Sequence, residues 1–147
     1  MKKIKYFFEF LFIITFFCIF KILGSKNASN LGEIIGKIFG PLFRSNLKII
    51  KNLENSKIAN SKKERKNIVN SMWGNYGRIL AEYVFIKKYR NDVYTKNIEV
   101  VGNDILEKIK QNKEPVIFVS GHFNNFELMA MYIEKSGIDL AAIYRPL

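Results

Sequence analysis

Apolar positions are arranged along this chain in three different ways. The first is a nearly continuous run from Tyr6 to Phe20, interrupted by Glu9 and Thr15, preceded by Lys2, Lys3 and Lys5 and followed by Lys21. A bilayer-spanning helix needs about 20 apolar residues. The run approaches that length when Ile22 and Leu23 are counted and the Lys21 side chain snorkels to the headgroups. Three readings compete: a membrane-anchor helix that spans the bilayer or lies in its interface, a cleaved signal peptide, and a buried helix of a soluble core. No small-x-small cleavage site follows the run, which counts against the signal peptide. Lysines at both ends leave the orientation open.

The second arrangement is amphipathic. Leu31, Ile34, Ile35, Ile38 and Phe39 recur at helical spacing, and Gly40-Pro41 is the expected stop. Leu42 to Leu53 predicts a second helix with a face of Leu42, Phe43, Leu47 and Ile50. Glu54 to Lys66 is polar and charged, as a surface connection is, and Ser61 followed by Glu64 reads as a capping box. A third helix follows from the stripe Ile68, Val69, Met72, Trp73, Tyr76, Ile79, Leu80, Tyr83 and Val84, most of which is expected to be core. No internal repeat is present.

The third arrangement begins after Asn97. Ile98 to Val101, before Gly102, predicts a short strand, and Asp104 to Gln111 a short helix. Pro115 to Ser120 is almost wholly apolar and rich in β-formers, as in a strand covered on both faces. Phe126 to Lys135 predicts a helix ended by Ser136-Gly137, and Asp139 to Tyr144 another strand stopped by Arg145-Pro146. Strand, helix and strand in that order suit a right-handed parallel crossover.

Composition adjusts this picture in two respects. Seven of the 13 Phe residues fall in the first 20 positions, so the apolar content is not spread through one soluble core. The net charge is +11, and 19 of the 24 basic residues are Lys. Such a balance attracts nucleic acid, anionic lipid or an acidic partner. Lys without interleaved Arg argues against nucleic acid, because bidentate base contacts favour Arg; a solvated surface and a membrane-facing one both remain compatible with it. The single Cys18 and single His122 cannot build a structural zinc site. Cys18, inside the apolar run, reads as filler, and no intrachain disulfide is possible, as suits a cytoplasmic catalytic part.

The chemistry concentrates in Ser120-Gly121-His122-Phe123-Asn124-Asn125-Phe126-Glu127. His122 would lie just past the C-terminal end of a buried strand, the edge where open α/β sheets bind ligands. If the next strand pairs in parallel, about 4.8 Å away, Arg145 emerges at the same edge; a surface loop charge is the plainer reading of that Arg alone. On one continuous helix His122 and Glu127 would point roughly 140° apart. They meet only if His122 lies in the turn before the helix and Glu127 in its first turn. Asn124 or Asn125 as N-cap permits this. Asn124 with Glu127 three residues on also resembles a capping box, so Glu127 is open to both a capping and a catalytic role.

The segment GHFNNFE resembles the His-x4-acidic motif of glycerolipid-type acyltransferases, and more closely the GHFGNWE-like form of the lipid A biosynthesis lauroyl/myristoyl acyltransferases. The N-terminal apolar segment, the helix carrying Asn75-Tyr76-Gly77 to Glu82, IEVVG at Ile98 to Gly102 and IYRP at Ile143 to Pro146 agree with that family. Asn124 stands where the family usually has Gly, which Asn's tolerance of tight turns allows, and Phe126 where it has Trp, keeping an aromatic wall without the N–H. The resemblance implies O-acyl transfer from an acyl carrier protein thioester to a hydroxyl of a lipid A (lipopolysaccharide) precursor at the bacterial inner membrane, with the catalytic part facing the cytoplasm. It implies His122 as general base, Glu127 as its acidic partner, and Arg145 and Asn125 in substrate binding, the latter through backbone N–H groups at the helix start. It implies no metal or other cofactor, and no nucleic acid.

The expected fold is therefore α/β: a membrane-anchor helix (residues 1–24), a helical region (25–96), and the start of an acyltransferase-type sheet with flanking helices (97–147). The family continues with further strands, so a C-terminal truncation is expected. The alternative is a non-catalytic, membrane-associated remnant that binds anionic lipid.

Overall fold

The computed structural model describes residues 2–91 and 98–143. The chain divides into two compact units, Met1–Ile86 and Lys87–Leu147.

The first unit is built on α1 (Lys2–Phe43), which contains Gly24 at φ 75 and ψ 163. Only glycine takes that conformation without strain, so α1 is two helical segments joined at a break. The segment before the break holds the apolar run, and its large side chains, Phe8 and Phe12 among them, are exposed. Phe12 packs edge-on against Phe16 at 4.7 Å, and Phe16 lies 6.0 Å from Phe20, forming an aromatic ladder along one side. Glu9, the acid that interrupts the run, is matched one turn away by Lys5 at 3.6 Å. Among the described residues α1 is the one helix long and apolar enough to cross a membrane, which fits membrane association.

Beyond Gly24, α1 packs on α3 (Lys62–Glu82), but not through the large apolar residues that the spacing singled out. Ile34, Ile38 and Phe39 stay about half exposed. The seam is made by Ala28, Gly32, Gly36 and Gly40, spaced four apart and so on one side of the helix. Opposite them lie Trp73, Gly77 and Ala81: a Cβ added at Gly32 or Gly77 would overlap the other's carbonyl oxygen, and one at Gly36 the carbonyl of Trp73. Small residues let two helix backbones approach this closely. Beside the seam Arg78 donates to Ser29 and Asn30 at 3.2 Å and pairs with Glu33, which also pairs with Lys37; Ser29 donates to Glu82 at 2.7 Å.

Several boundaries and faces differ from expectation. The helix runs past Gly40-Pro41 to Phe43. The proline removes one backbone hydrogen bond, but the Trp73 indole lies over Gly40 and holds this last turn. Leu42 and Phe43 consequently end α1, and α2 starts only at Leu47 and ends at Ser56, which divides the face expected of a Leu42–Leu53 helix. The Trp73 indole N–H donates to Asn46 Oδ1 at 2.8 Å, just before α2. At the start of α3 the Ser61 hydroxyl accepts from the Glu64 N–H at 3.1 Å, as the capping box requires, while the Glu64 carboxylate reaches back to the Asn60 N–H at 2.9 Å. Of the long stripe on α3 and beyond, Val69 is buried, whereas Tyr76 and Leu80 are more than half exposed; Gly74 and Ala81 are the other buried positions. A 3-10 turn (Tyr83–Phe85) follows, with Phe85 fully buried, and then α4 (Ile86–Arg90).

In the second unit α5 (Asn103–Asn112) and α6 (Glu127–Lys135) occupy the two helical segments read from the sequence. The Tyr132 hydroxyl on α6 donates to Asn103 Oδ1 at 3.0 Å, and Arg90 pairs with Glu134 at 2.7 Å. Gly137 at φ 81 closes α6, its N–H donating to the Glu134 carbonyl.

The partial sheet is not found. None of the three expected strands, Ile98–Val101, Pro115–Ser120 and Asp139–Tyr144 (described to Ile143), forms a ladder among the described residues. β-branched composition suits a pleated, half-buried surface, but each N–H and C=O of a strand needs a neighbouring strand, which a helix does not. Segments 114–118 and 138–143 instead border a cavity of about 940 Å³ with Ile109 of α5 and Met129 and Ile133 of α6. Ile117, Val119 and Ile143 are almost fully exposed. Over the described residues the architecture is helical, not α/β.

Candidate active site

His122 is placed by a tight turn. The Phe123 N–H donates to the Gly121 carbonyl at 2.9 Å, a two-residue closure that puts His122 at its apex. A Cβ at Gly121 would lie 2.5 Å from the exposed Phe123 ring, so a larger residue there would push that ring aside. Asn124 follows at φ 48, in the left-handed region that Asn tolerates. The chain then enters α6 through Phe126, and the first helical residue is Glu127.

The helix entrance is not the capping box that Asn124 and Glu127 suggested. Phe126 occupies the cap position with no side-chain cap hydrogen bond. The Asn125 and Phe126 carbonyls accept from Leu128 and Met129 at 3.0 and 3.1 Å, tightening the first turn. Asn124 cannot serve as the cap from its left-handed conformation two residues earlier, so Glu127 opens the helix at its first position instead of its third.

These local choices meet the geometric condition on the pair: His122 precedes the helix and Glu127 lies in its first turn. His122 is exposed, and its imidazole packs at 4.3 Å against the Phe126 ring, tilted by 58°. Among the described residues the imidazole contacts Phe126, while Glu127 has interactions of its own. Glu127 is half-buried and its Oε2 is shielded from solvent, so a carboxylate oxygen sits inside the unit while the imidazole remains accessible. A negative charge in the first turn is favoured by the helix dipole.

The buried strand expected before His122 is an exposed irregular segment, so the imidazole stands on a turn and not at a sheet edge. Arg145 lies outside the described residues. Asn125 is half-buried at the entrance to α6. The contact that sequence reasoning missed is that between His122 and Phe126. Its signal was the aromatic residue kept at that place in the motif, four residues after the histidine.

A model of the bacterial lipid A biosynthesis acyltransferases matches residues 1–147. No curated protein matches the chain, and no solved structure does.

Proposed function

The chain belongs to the bacterial lipid A biosynthesis acyltransferase family, and from that premise we propose that it moves a fatty acyl chain from an acyl carrier protein thioester to a hydroxyl of a lipid A precursor. The observation that carries the reading is the family match over residues 1–147, within which the one histidine sits accessible on a turn directly before a helix headed by Glu127.

In this mechanism an imidazole nitrogen of His122 takes the proton from the acceptor hydroxyl as its oxygen attacks the thioester carbonyl. Positioned general-base catalysis of this kind contributes about 10²–10⁴-fold. The tetrahedral intermediate carries an oxyanion, and backbone N–H groups at the start of α6, near Asn125, stabilise it. Collapse expels the carrier thiolate, which takes the proton from the imidazolium. The new ester bond replaces the thioester, and no acyl-enzyme forms. Glu127 orients the imidazole and stabilises its charged form, as the acidic member of a triad does. That role requires the imidazole to meet the carboxylate when substrate binds; catalytic hydrogen bonds commonly tighten only in the complex with substrate. Arg145 binds an anionic phosphate of the acceptor. The apolar first segment of α1 keeps the enzyme beside an acceptor that stays in the bacterial inner membrane, with the catalytic part on the cytoplasmic side.

The test is direct. Membranes containing the protein are given an acyl carrier protein thioester and a lipid A precursor, and products are identified by mass. An acceptor gaining one ester-linked acyl chain, with release of free carrier thiol, is the expected result. An unchanged acceptor under conditions where the protein is folded and membrane-bound overturns the reading and favours a non-catalytic lipid-binding role.

A further inference from the structure

The second half of α1 has three sides, and one is left exposed among the described residues of the first unit. The small side meets α3, and the polar side carries Glu33 and Lys37. The remaining side presents Ile34, Ile38 and Leu42, at successive intervals of four residues, with Phe39 and Phe43 flanking them. All are exposed, from 48% at Phe39 to 84% at Phe43. Leu47, at the start of α2, adds to the apolar surface at 77% exposure. Arg44, Lys48 and Lys51 lie beside this end of the face, all exposed.

We infer that this face is a second membrane-contact surface, which lies in the headgroup region of an anionic bilayer while the first half of α1 is anchored in it. Three observations select the bilayer as the occupant. First, the face belongs to the same helix as the apolar run and begins about three turns beyond Gly24. Second, all 42 residues of α1 would measure about 63 Å if straight, twice the roughly 30 Å of a hydrocarbon core. The non-helical Gly24 lets the second half change direction and leave the span. A helix apolar on one side and polar on the other is the kind that lies in the interface. Third, the rim is cationic. Arg44, Lys48 and Lys51 are drawn to anionic headgroups, whereas a second copy would bring the same cations against them. The surface is distinct from the His122 site and does not depend on the catalytic reading.

The test uses the full-length chain in vesicles. In a Cys18→Ser background, single cysteines replace Ile38, Phe43 or Leu47, whose exposure keeps them out of the packing, and each is labelled with an environment-sensitive fluorophore. A control label replaces Lys63, exposed near the start of α3. In vesicles of phosphatidylcholine with phosphatidylglycerol, the three labels are quenched by lipid-borne bromine and protected several-fold from an aqueous quencher, while the control stays open to water. The triple charge reversal Arg44→Glu, Lys48→Glu, Lys51→Glu removes most of that protection. Labels on the face as open to the aqueous quencher as the control overturn the inference. So does protection that rises with protein-to-lipid ratio, which assigns the face to a second copy.

Discussion

Val69, Ala81 and Phe85 in the first unit are nearly inaccessible to solvent, whereas Ile117, Val119 and Ile143 in the second, equally apolar, are almost fully exposed. The first unit satisfies its backbone within its helices, so what remains is to fit two helices together. Glycine and alanine do that by removing side chains from the seam. In the second unit the apolar segments on either side of α6 are rich in β-formers, and a β-former reaches burial only when a neighbouring strand takes up its N–H and C=O groups. Order in the second unit comes from α5 and α6 and their polar contacts, such as that from Tyr132 to Asn103. The proposed site at His122 and Glu127 lies on the turn that leads into α6.

Substitutions can break this contrast at points of decreasing cost. The largest effect is expected from Gly77→Val, because even a Cβ at that position overlaps the Gly32 carbonyl. Overpacking costs about 1–3 kcal/mol and occasionally more, and a clash with backbone belongs at the top of that range. Trp73, the single tryptophan, lies in the seam and reports on it. Its fluorescence should lose its folded signature, or its melting transition should fall sharply; a native signal with an unchanged melt would remove the seam from the account. Ile133→Ala, at the one buried residue of α6, should cost about 2–4 kcal/mol. Hydrogen exchange should rise in α6 while the Trp73 transition holds. A joint shift of both would contradict the division into separate units. Ser61→Ala removes the α3 cap and should cost about 1 kcal/mol, with Ser61→Asp recovering most of it in the same melt.

What could be read from the sequence depended on whether the signal was local. The Ser61–Glu64 cap and the Ser136-Gly137 stop are carried by short-range hydrogen bonds, and both appear where expected. The α1 seam could not be found by following apolar periodicity, because Gly32, Gly36 and Gly40 contribute contact by lacking a side chain. The same periodicity identified Ile34, Ile38 and Phe39 as one apolar face, and the structure leaves that face exposed. The conformation that breaks α1 at Gly24 is a property of the backbone, which the apolar pattern does not carry. The strands failed because Pro115–Ser120 specifies a preference, while pairing is set by residues far along the chain. At the site, His122 and Glu127 were legible as a motif, and the sequence stated the geometry they require. The stacking of His122 on Phe126 and the left-handed Asn124 are set by the turn and could be read only from coordinates.

The measurement that tests the central claim most directly is acyl transfer by His122→Ala and Glu127→Gln, at matched membrane-bound amounts and with a melt for each variant. His122→Ala should lose at least about a hundredfold in rate while keeping its fold and membrane association. Glu127→Gln separates two roles, since a neutral amide preserves the shape and packing of the side chain but cannot stabilise the imidazolium. A catalytic Glu127 therefore predicts a large loss with an unchanged melt. Near-normal turnover by Glu127→Gln would make the acid structural and leave the base in place. Retention of most activity by His122→Ala would contradict the account.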